Sequence, residues 1–370
     1  MIVTRAPYRI SFFGGGSDLE RFYSKSPGAV LSTSINKFTY ISSHYFFDSD
    51  KIQIKYSKTE TCTDIEEIEH PIVREVLRKF QIRGAIEISS NGDVAGGTGL
   101  GSSSAFTVAL LMNLYTRAGR YVTPQQLAEE ACDIEINRLF GPIGKQDQYA
   151  SAVGGLNIIR FPKSGSAAVE PVHLEKAIYK ELEQSLSMFY TGLPRATASV
   201  LSEQQSNMDN PEKLDIVRRM VDLVWVAQEA LYAGELYRFG ELLNLSWKMK
   251  QRLASRITNP QLQAIYDKAI DAGAVGGKLL GAGGGGFMLF YCPPENQARL
   301  RSAMAGYREL PFRFDTAGAQ VMLVADEYWD REVTRPALPE VQPTAGVPEY
   351  LPEPAALGSY ADPISAAAKP

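Results

Sequence analysis

The chain has 370 residues, of which 45% are hydrophobic and 22% are charged, as in a globular protein with room for two domains. Its net charge of −4 argues against nucleic acid as a partner. The first residues lack the pattern of a signal peptide, and no apolar run reaches the ~18 residues of a membrane span. We therefore expect a cytoplasmic protein that binds neither nucleic acid nor membranes.

The first third of the chain predicts strands, because short runs rich in β-branched and aromatic residues are separated by turn residues. These runs are YRISFFGG, GAVLSTSI, FTYISSHYFF, KIQIKYS and GAIEISS. Two helices follow. The first begins at the glycine-rich segment 96–101 and ends near Gly119, and the second begins after Thr123 with Pro124 in its first turn.

Residues 194–272 are predicted to be largely helical. A second glycine cluster, GGKLLGAGGGGF, then runs into a strand, and a helix near 294–306 and strands near 311–325 complete the regular elements. The segment 331–370 is dense in proline and alanine and has little periodicity, which predicts a disordered or loosely docked tail.

The cysteines and histidines are too scattered to form a disulfide framework or a zinc site. They are Cys62, Cys132, Cys292, His44, His70 and His173.

The stretch GGTGLGSSSAF at 96–106 is typical of a phosphate-binding loop, because glycines let backbone amides approach an anion at a helix N-terminus. Its spacing matches neither a Walker A loop nor a dinucleotide fingerprint. The serines that follow either place a hydroxyl near a nucleotide-bound Mg²⁺ or cap the helix. The candidate ATP-binding residues are Gly97, Gly99, Leu100, Gly101, Ser102, Ser103 and Ser104.

Two acidic residues between the glycine clusters are candidates for chemistry. Glu135 lies at the edge of an inward-facing helical stripe, where either a magnesium ion or a salt bridge would offset its burial. Asp147 lies in the polar, turn-rich stretch GPIGKQDQYAS, which predicts a loop, and is either a catalytic carboxylate or a turn former.

The N-terminal stretch RAPYRISFFGGGSD ends a strand in three glycines. Gly14, Gly15 and Gly16 would let the backbone contact a ligand, and Gly15, Gly16 and Ser17 are candidate substrate-binding residues. Asp18 is suited to accept hydrogen bonds from sugar hydroxyls, and Arg9 is a permanent cation on the strand.

Taken in order, RAPYRISFFGGGSD, DVAGGTGLGSSSAF and GGKLLGAGGGGF resemble the three motifs of the GHMP small-molecule kinases, over residues 1–330. The resemblance implies an α+β two-domain fold with the active site in the cleft. An N-terminal ATP-binding α/β domain would span residues 1–175, and a ferredoxin-like C-terminal domain residues 176–330. It also implies ATP and Mg²⁺ as cofactors.

The same resemblance implies roles for individual residues. Asp147 and Arg9 would be catalytic, Ser103 and Glu135 would ligate Mg²⁺, and Asp18 would bind sugar hydroxyls. A late loop would close over the active site. Its residues are Gly281, Gly283, Gly284 and Gly285. One departure is that Ala95 and Gly96 replace prolines found in many relatives.

Within the family, FFGGGSD, IGKQDQYA and FYTGLPRAT are most similar to bacterial kinases that phosphorylate the anomeric hydroxyl of a heptose 7-phosphate for nucleotide-activated heptose synthesis. Fucokinase-like domains and a catalytically silent sugar-phosphate sensor are the alternatives. A phosphorylated sugar needs a basic pocket, for which the sequence offers Arg195, Arg21 and Lys25.

Overall fold

The computed structural model describes residues 1–193 and 197–325, all within the first of two compact units, Met1–Pro336. In chain order, the strands of this part are β1 (Ile2–Phe13), β2 (Gly28–Tyr45), β3 (Ile52–Lys55), β4 (Thr59–Cys62), β5 (Ile86–Gly92), β6 (Leu156–Phe161), β7 (Ala168–Pro171), β8 (Leu186–Tyr190), β9 (Gly276–Leu279), β10 (Phe287–Tyr291), β11 (Arg308–Glu309), β12 (Phe314–Asp315) and β13 (Gln320–Val324).

The helices of the same residues comprise six in the first half and five in the second. They are α1 (Glu20–Tyr23), α2 (Pro71–Lys79), α3 (Ser102–Arg117), α4 (Pro124–Cys132), α5 (Gln146–Val153), α6 (Lys176–Gln184), α7 (Thr197–Asn207), α8 (Pro211–Tyr232), α9 (Leu236–Gln251), α10 (Pro260–Asp271) and α11 (Gln297–Ala303). The predicted helical content after residue 194 is confirmed from residue 197 onward.

The larger sheet is organised around β2. This strand pairs antiparallel with β1 along most of its length, with β6 at its start and with β5 at its end. The sequence predicted two strands here, GAVLSTSI and FTYISSHYFF, and that was wrong. They are one 18-residue strand, whose register against β1 shifts between Pro7 and Tyr8. Such a bulge bends a long strand without ending it.

The smaller sheet has the order β11-β8-β10-β9, and α9 packs against β9 and β10. Its core is formed by large apolar side chains, among them Phe189, Met220, Trp247 and Phe290. In the larger sheet, α3 and α5 pack against β1 and β2, and α4 packs against α3 and α5.

The last strands return to the larger sheet. β13 pairs antiparallel with β1, and β12 pairs with β2. These residues were predicted to belong to the C-terminal domain, so this return of the chain was not anticipated. The boundaries near residues 175 and 330 stay a prediction, and the segment 331–370 lies outside the described residues, so its predicted disorder stays one too.

Candidate active site

The first glycine-rich segment reaches the N-terminus of α3 through left-handed backbone. Gly97, Gly99 and Gly101 have φ angles of 76°, 97° and 76°, a region that favours glycine. Leu100 is buried, and its carbonyl accepts a hydrogen bond from the Arg9 amide at 3.0 Å. This bond joins the segment to β1, and Ser102, Ser103 and Ser104 then form the first turn of α3.

A cleft of about 200 Å³ lies beside this turn and collects most of the predicted site residues. The three serines line it together with Gly97, Gly99 and Gly101. Arg9, Gly15, Gly16, Asp18, Asp147 and Gly281 line it as well. Residues from four separate stretches of the sequence therefore meet at one place.

Arg9 and Asp147 form a two-pronged ion pair in this cleft. The guanidinium Nε donates to Asp147 Oδ1 at 2.7 Å, and Nη2 donates to Oδ2 at 2.8 Å. Arg9 is buried, and its Nη1 donates to the carbonyl of Gly99 at 2.7 Å. Because a bidentate pair fixes both planes, the carboxylate is held in one orientation next to the glycine-rich segment.

Asp147 does not lie in a loop, as its turn-rich neighbourhood predicted. It is the second residue of α5, whose N-terminus has no side-chain cap. That prediction of a loop was wrong because the usual serine, threonine, aspartate or asparagine start signal is missing. A carboxylate in the first helical turn is favoured by the unpaired amides there.

Glu135 is buried and faces the start of α3. It lies in a π-helical turn, Asp133–Arg138, that continues α4. Its Oε1 accepts from Ser103 Oγ at 2.6 Å and its Oε2 from Gln148 Nε2 at 2.8 Å. Burial raises the pKa of the Glu135 carboxyl, and the hydrogen bonds from Ser103 and Gln148 oppose that shift.

The donor set around Glu135 suits a magnesium ion bound together with a nucleotide. Among the described residues no basic side chain pairs with Glu135, and no three acidic, histidine or cysteine residues cluster as a complete metal site. Mg²⁺ in kinases takes only one or two protein oxygens, the rest coming from phosphates and water. Ser103 and Glu135 fit that requirement.

The loop after β1 contributes Asp18. Its Oδ1 accepts from the Gly16 amide at 3.0 Å and its Oδ2 from the Gln146 amide at 3.4 Å. Burial, and then the charge of Asp147, raise the pKa of the Asp18 carboxyl. Ser17, by contrast, does not line the cleft, because its hydroxyl is used in hydrogen bonds with the backbone of Ala29.

Gly144 makes a testable contact with Asp18. A Cβ atom at this position would lie 2.0 Å from Asp18 Oδ2 and 2.9 Å from the Asp18 carbonyl carbon. Gly144→Ala is therefore expected to displace Asp18. If Asp18 binds hydroxyls of an acceptor sugar, as the resemblance implies, the KM for that acceptor should rise by about tenfold or more, since a misplaced binding group costs at least one charged hydrogen bond. Steady-state kinetics with each substrate varied would show this, with KM for ATP unchanged.

Gly306→Ala is the matched control, because a Cβ there would meet no atom within 4 Å. An unchanged acceptor KM in Gly144→Ala would contradict the assignment of Asp18 to the acceptor.

The second glycine-rich segment, GGKLLGAGGGGF, contributes only part of its length to the cleft. Gly281 and Ala282 line the cleft. Gly283 and Gly284 pack against Ile257, and the Gly284 amide donates to its carbonyl at 3.1 Å. Gly285 does not line the cleft either. The segment ends against the first glycine-rich segment, where the Phe287 amide donates to the Thr98 carbonyl at 3.3 Å.

A second cavity, of about 410 Å³, adjoins the first and was missed from the sequence. It shares Gly97, Ser102 and Ser103 with the cleft. Its far wall contains His70 and Phe106, whose rings stack with centroids 4.9 Å apart. Burial lowers the pKa of His70, so the wall is aromatic and neutral at pH 7. Phe106 ends the quoted stretch 96–106, but no sequence pattern joined His70 to it.

Of the basic residues predicted to hold a substrate phosphate, the two that the structure describes do not line the cleft. Arg21 and Lys25 both pair with Asp209 at the surface, and Arg195 lies outside the described residues. Two lysines for which the sequence predicted no role, Lys250 and Lys278, line the cleft instead. Lys278 stands in the quoted GGKLLG stretch, where only the glycines were considered.

Family models match one segment in each half of the chain. The model of the GHMP kinases N terminal domain matches residues 68–155, and that of the GHMP kinases C terminal matches residues 227–308. The chain belongs to the GHMP kinase family. The two-domain α+β fold expected from the motifs is thereby confirmed. Members of the family use ATP as the phosphate donor, and the chain is a phosphotransferase.

Relatives of this GHMP kinase include the D-glycero-alpha-D-manno-heptose 7-phosphate kinase of Campylobacter jejuni, 26% identical over 314 residues that cover 82% of this chain and 93% of that protein. The L-fucokinase/L-fucose-1-P guanylyltransferase of Bacteroides fragilis is 26% identical over 64% of this chain and 25% of that longer protein. A solved D-glycero-D-manno-heptose 1-phosphate kinase from Bacteroides thetaiotaomicron shares the fold, with a TM-score of 0.72, 23% identity, and coverage of 88% of this chain and all of that one.

Among the described residues, no helix of this GHMP kinase combines the length and the apolarity that a membrane crossing needs.

Proposed function

We propose that this GHMP kinase transfers the γ-phosphoryl group of ATP to the anomeric hydroxyl of a phosphorylated sugar, with D-glycero-D-manno-heptose 7-phosphate as the substrate. The observation that carries the proposal is the Arg9–Asp147 pair, held in the cleft between the glycine-rich segment and the Asp18 loop. The identity to the Campylobacter jejuni heptose phosphate kinase supports the choice of sugar.

The donor would occupy the two adjoining cavities. We infer that its phosphates bind the amides of the glycine-rich segment and the N-terminus of α3, which favour an anion. The base would then reach the wall formed by His70 and Phe106. Ser103 and Glu135 would hold Mg²⁺, which neutralises charge on the phosphates when bound.

The acceptor hydroxyl would approach the Asp147 carboxylate. Phosphoryl transfer has a loose transition state, so catalysis depends mainly on alignment and charge neutralisation. Asp147 either accepts the proton of this hydroxyl or only aligns the hydroxyl for attack. Arg9 fixes the carboxylate and adds positive charge beside the glycine-rich segment, while Asp18 accepts hydrogen bonds from other sugar hydroxyls.

A coupled ADP-release assay tests the proposal. With Mg²⁺ and ATP, we expect kcat/KM for the heptose 7-phosphate to exceed that for L-fucose, galactose or mannose by about 100-fold or more, because sites built for a charged group reject analogues that lack it. Phosphorus NMR of the product would place the new phosphate at the anomeric carbon. Preference for L-fucose would move the chain to the fucokinase-like alternative, and ATP binding without turnover on any sugar would favour the sensor.

A further inference from the structure

Lys278 places a buried ammonium group in the cleft. It lies on β9, its exposed fraction is 2%, and its Nζ donates to the Phe12 carbonyl at 2.7 Å. Within residues 1–193 and 197–325, no carboxylate lies within ion-pair distance of this nitrogen. A buried cation without a counter-ion is costly, and proteins retain one where a ligand or a reaction uses it.

Further cations surround Lys278. Lys250, on α9, is also buried, and its ammonium donates to the Gly281 carbonyl. Burial, together with the charges of Lys250 and Arg9, lowers the pKa of Lys278 well below its ordinary value. Arg9 has its own counter-ion in Asp147, whereas Lys278 has none among the described residues and donates to a neutral carbonyl oxygen. An anionic ligand at this place would stabilise the charged form of Lys278.

Ser11 adds a second, independent sign of a missing ligand. It is 5% exposed, lines the same cleft, and its Oγ has no hydrogen-bond partner among the described residues. Buried hydroxyls are nearly always hydrogen-bonded, so one that is unpartnered and open to a cavity indicates a polar ligand. Ser11 directly precedes Phe12, whose carbonyl holds Lys278.

The position of these groups favours the acceptor over ATP. Ser11 and Phe12 lead directly into the loop of Gly15, Gly16 and Asp18, and a Cβ on Gly15 would lie 3.8 Å from Ser11 Oγ. The glycine-rich segment and α3 already offer the donor phosphates backbone amides and hydroxyls. Asp18, on the acceptor side, is an anion and gives no positive charge to bind a phosphate.

We propose that Lys278, Lys250 and Ser11 bind the phosphate group that the acceptor sugar already carries, and so select phosphorylated over unphosphorylated sugars. The inference rests on the proposed function and deepens it by naming the residues that set its substrate class. An ammonium–phosphate contact is a charge-assisted hydrogen bond, which is roughly twice as strong as a neutral one.

The test compares two acceptors, D-glycero-D-manno-heptose 7-phosphate and the same heptose without its phosphate, in wild-type enzyme and in Lys278→Met. We expect the variant to lose roughly 10- to 100-fold in kcat/KM for the phosphorylated sugar, the range for one charged hydrogen bond. Its kcat/KM for the unphosphorylated sugar and its KM for ATP should stay within about threefold, since these do not use the contact.

Two further variants distinguish the loss of a phosphate contact from a general disturbance of the structure. Lys248→Met removes an exposed lysine two positions from Lys250 on the same helix and should leave both acceptors unaffected. Ser11→Ala is a second, milder probe of the same phosphate and should lower selectivity in the same direction. A methionine in a buried, unpaired lysine position is expected to fold at least as stably as the lysine.

Equal losses on both acceptors, or a raised KM for ATP, would overturn the proposal and assign Lys278 to the transferred phosphate. Unchanged kinetics in Lys278→Met and Ser11→Ala would also overturn the proposal. Calorimetric titration of each acceptor into enzyme saturated with a non-hydrolysable ATP analogue gives the same comparison without turnover. Wild-type enzyme that binds the phosphorylated sugar in this way but never transfers phosphate would contradict the proposed function alone.

Discussion

Asp147→Asn is expected to lower kcat by about 10²- to 10⁴-fold, the contribution typical of a group that handles a proton in the transition state. Asparagine keeps the size of the side chain but has only one oxygen to offer Arg9, so the guanidinium loses one of the two contacts at 2.7 and 2.8 Å. The binding of ATP should survive, because the glycine-rich segment and α3 remain intact. Single-turnover kinetics and a nucleotide-binding titration would separate the two effects.

Asp48→Asn is a suitable control for this variant. Asp48 also forms an ion pair, with Lys51, but at the surface, where such pairs contribute little. Its removal should leave kcat within about twofold. Turnover of Asp147→Asn close to that of the wild type would exclude Asp147 from the chemical step.

Glu135→Gln is expected to raise the Mg²⁺ concentration needed for half-maximal activity by about tenfold or more, because a carboxylate oxygen is a far better ligand for a hard cation than an amide. The amide still fills the same space and can accept from Ser103. The measurement is a Mg²⁺ titration of the initial rate at fixed ATP. Glu129→Gln, on the adjoining α4, is the matched control, since Glu129 pairs with Gln125 outside the cleft.

The stability of Glu135→Gln separates a role in metal binding from a role in folding. Burial raises the pKa of Glu135, so the ionised carboxylate is less favourable in the folded state than in the unfolded one. The stability linked to this group is therefore present at low pH and is lost as the pH rises through the folded-state pKa. Near pH 7 the variant should melt at the same temperature as the wild type or higher. A lower melting temperature with an unchanged Mg²⁺ requirement would contradict a metal-binding role.

The sequence predicted those parts of the site that depend on local chemistry. Glycines in left-handed backbone at the start of a helix leave a pattern within a few residues, and so the segment 97–101 was found. The loop predicted at Asp147 was wrong, because the helix that bears it begins without a capping side chain.

Lys278 was missed for a different reason. Its burial arises from contact with Phe12, which lies 266 positions earlier in the chain. A lysine between glycines in GGKLLG has no local sign of burial, and lysine is exposed in most proteins. Likewise, the hydrogen bond between Gln148 and Glu135 depends on the packing of α5 against α4. For these two residues the contact that matters lies in a distant segment, so the local sequence carries no sign of it.

The pairing of β13 with β1 has a consequence for how the protein is made. During synthesis β1 leaves the ribosome before its edge partner β13, which follows some 320 residues later at Gln320–Val324. The larger sheet therefore keeps the outer edge of β1 unpaired until all strands of the smaller sheet have been translated. Unpaired strand edges invite association with other chains. Maturation of the nascent chain thus includes an interval in which a chaperone that shields the edge of β1 would be useful.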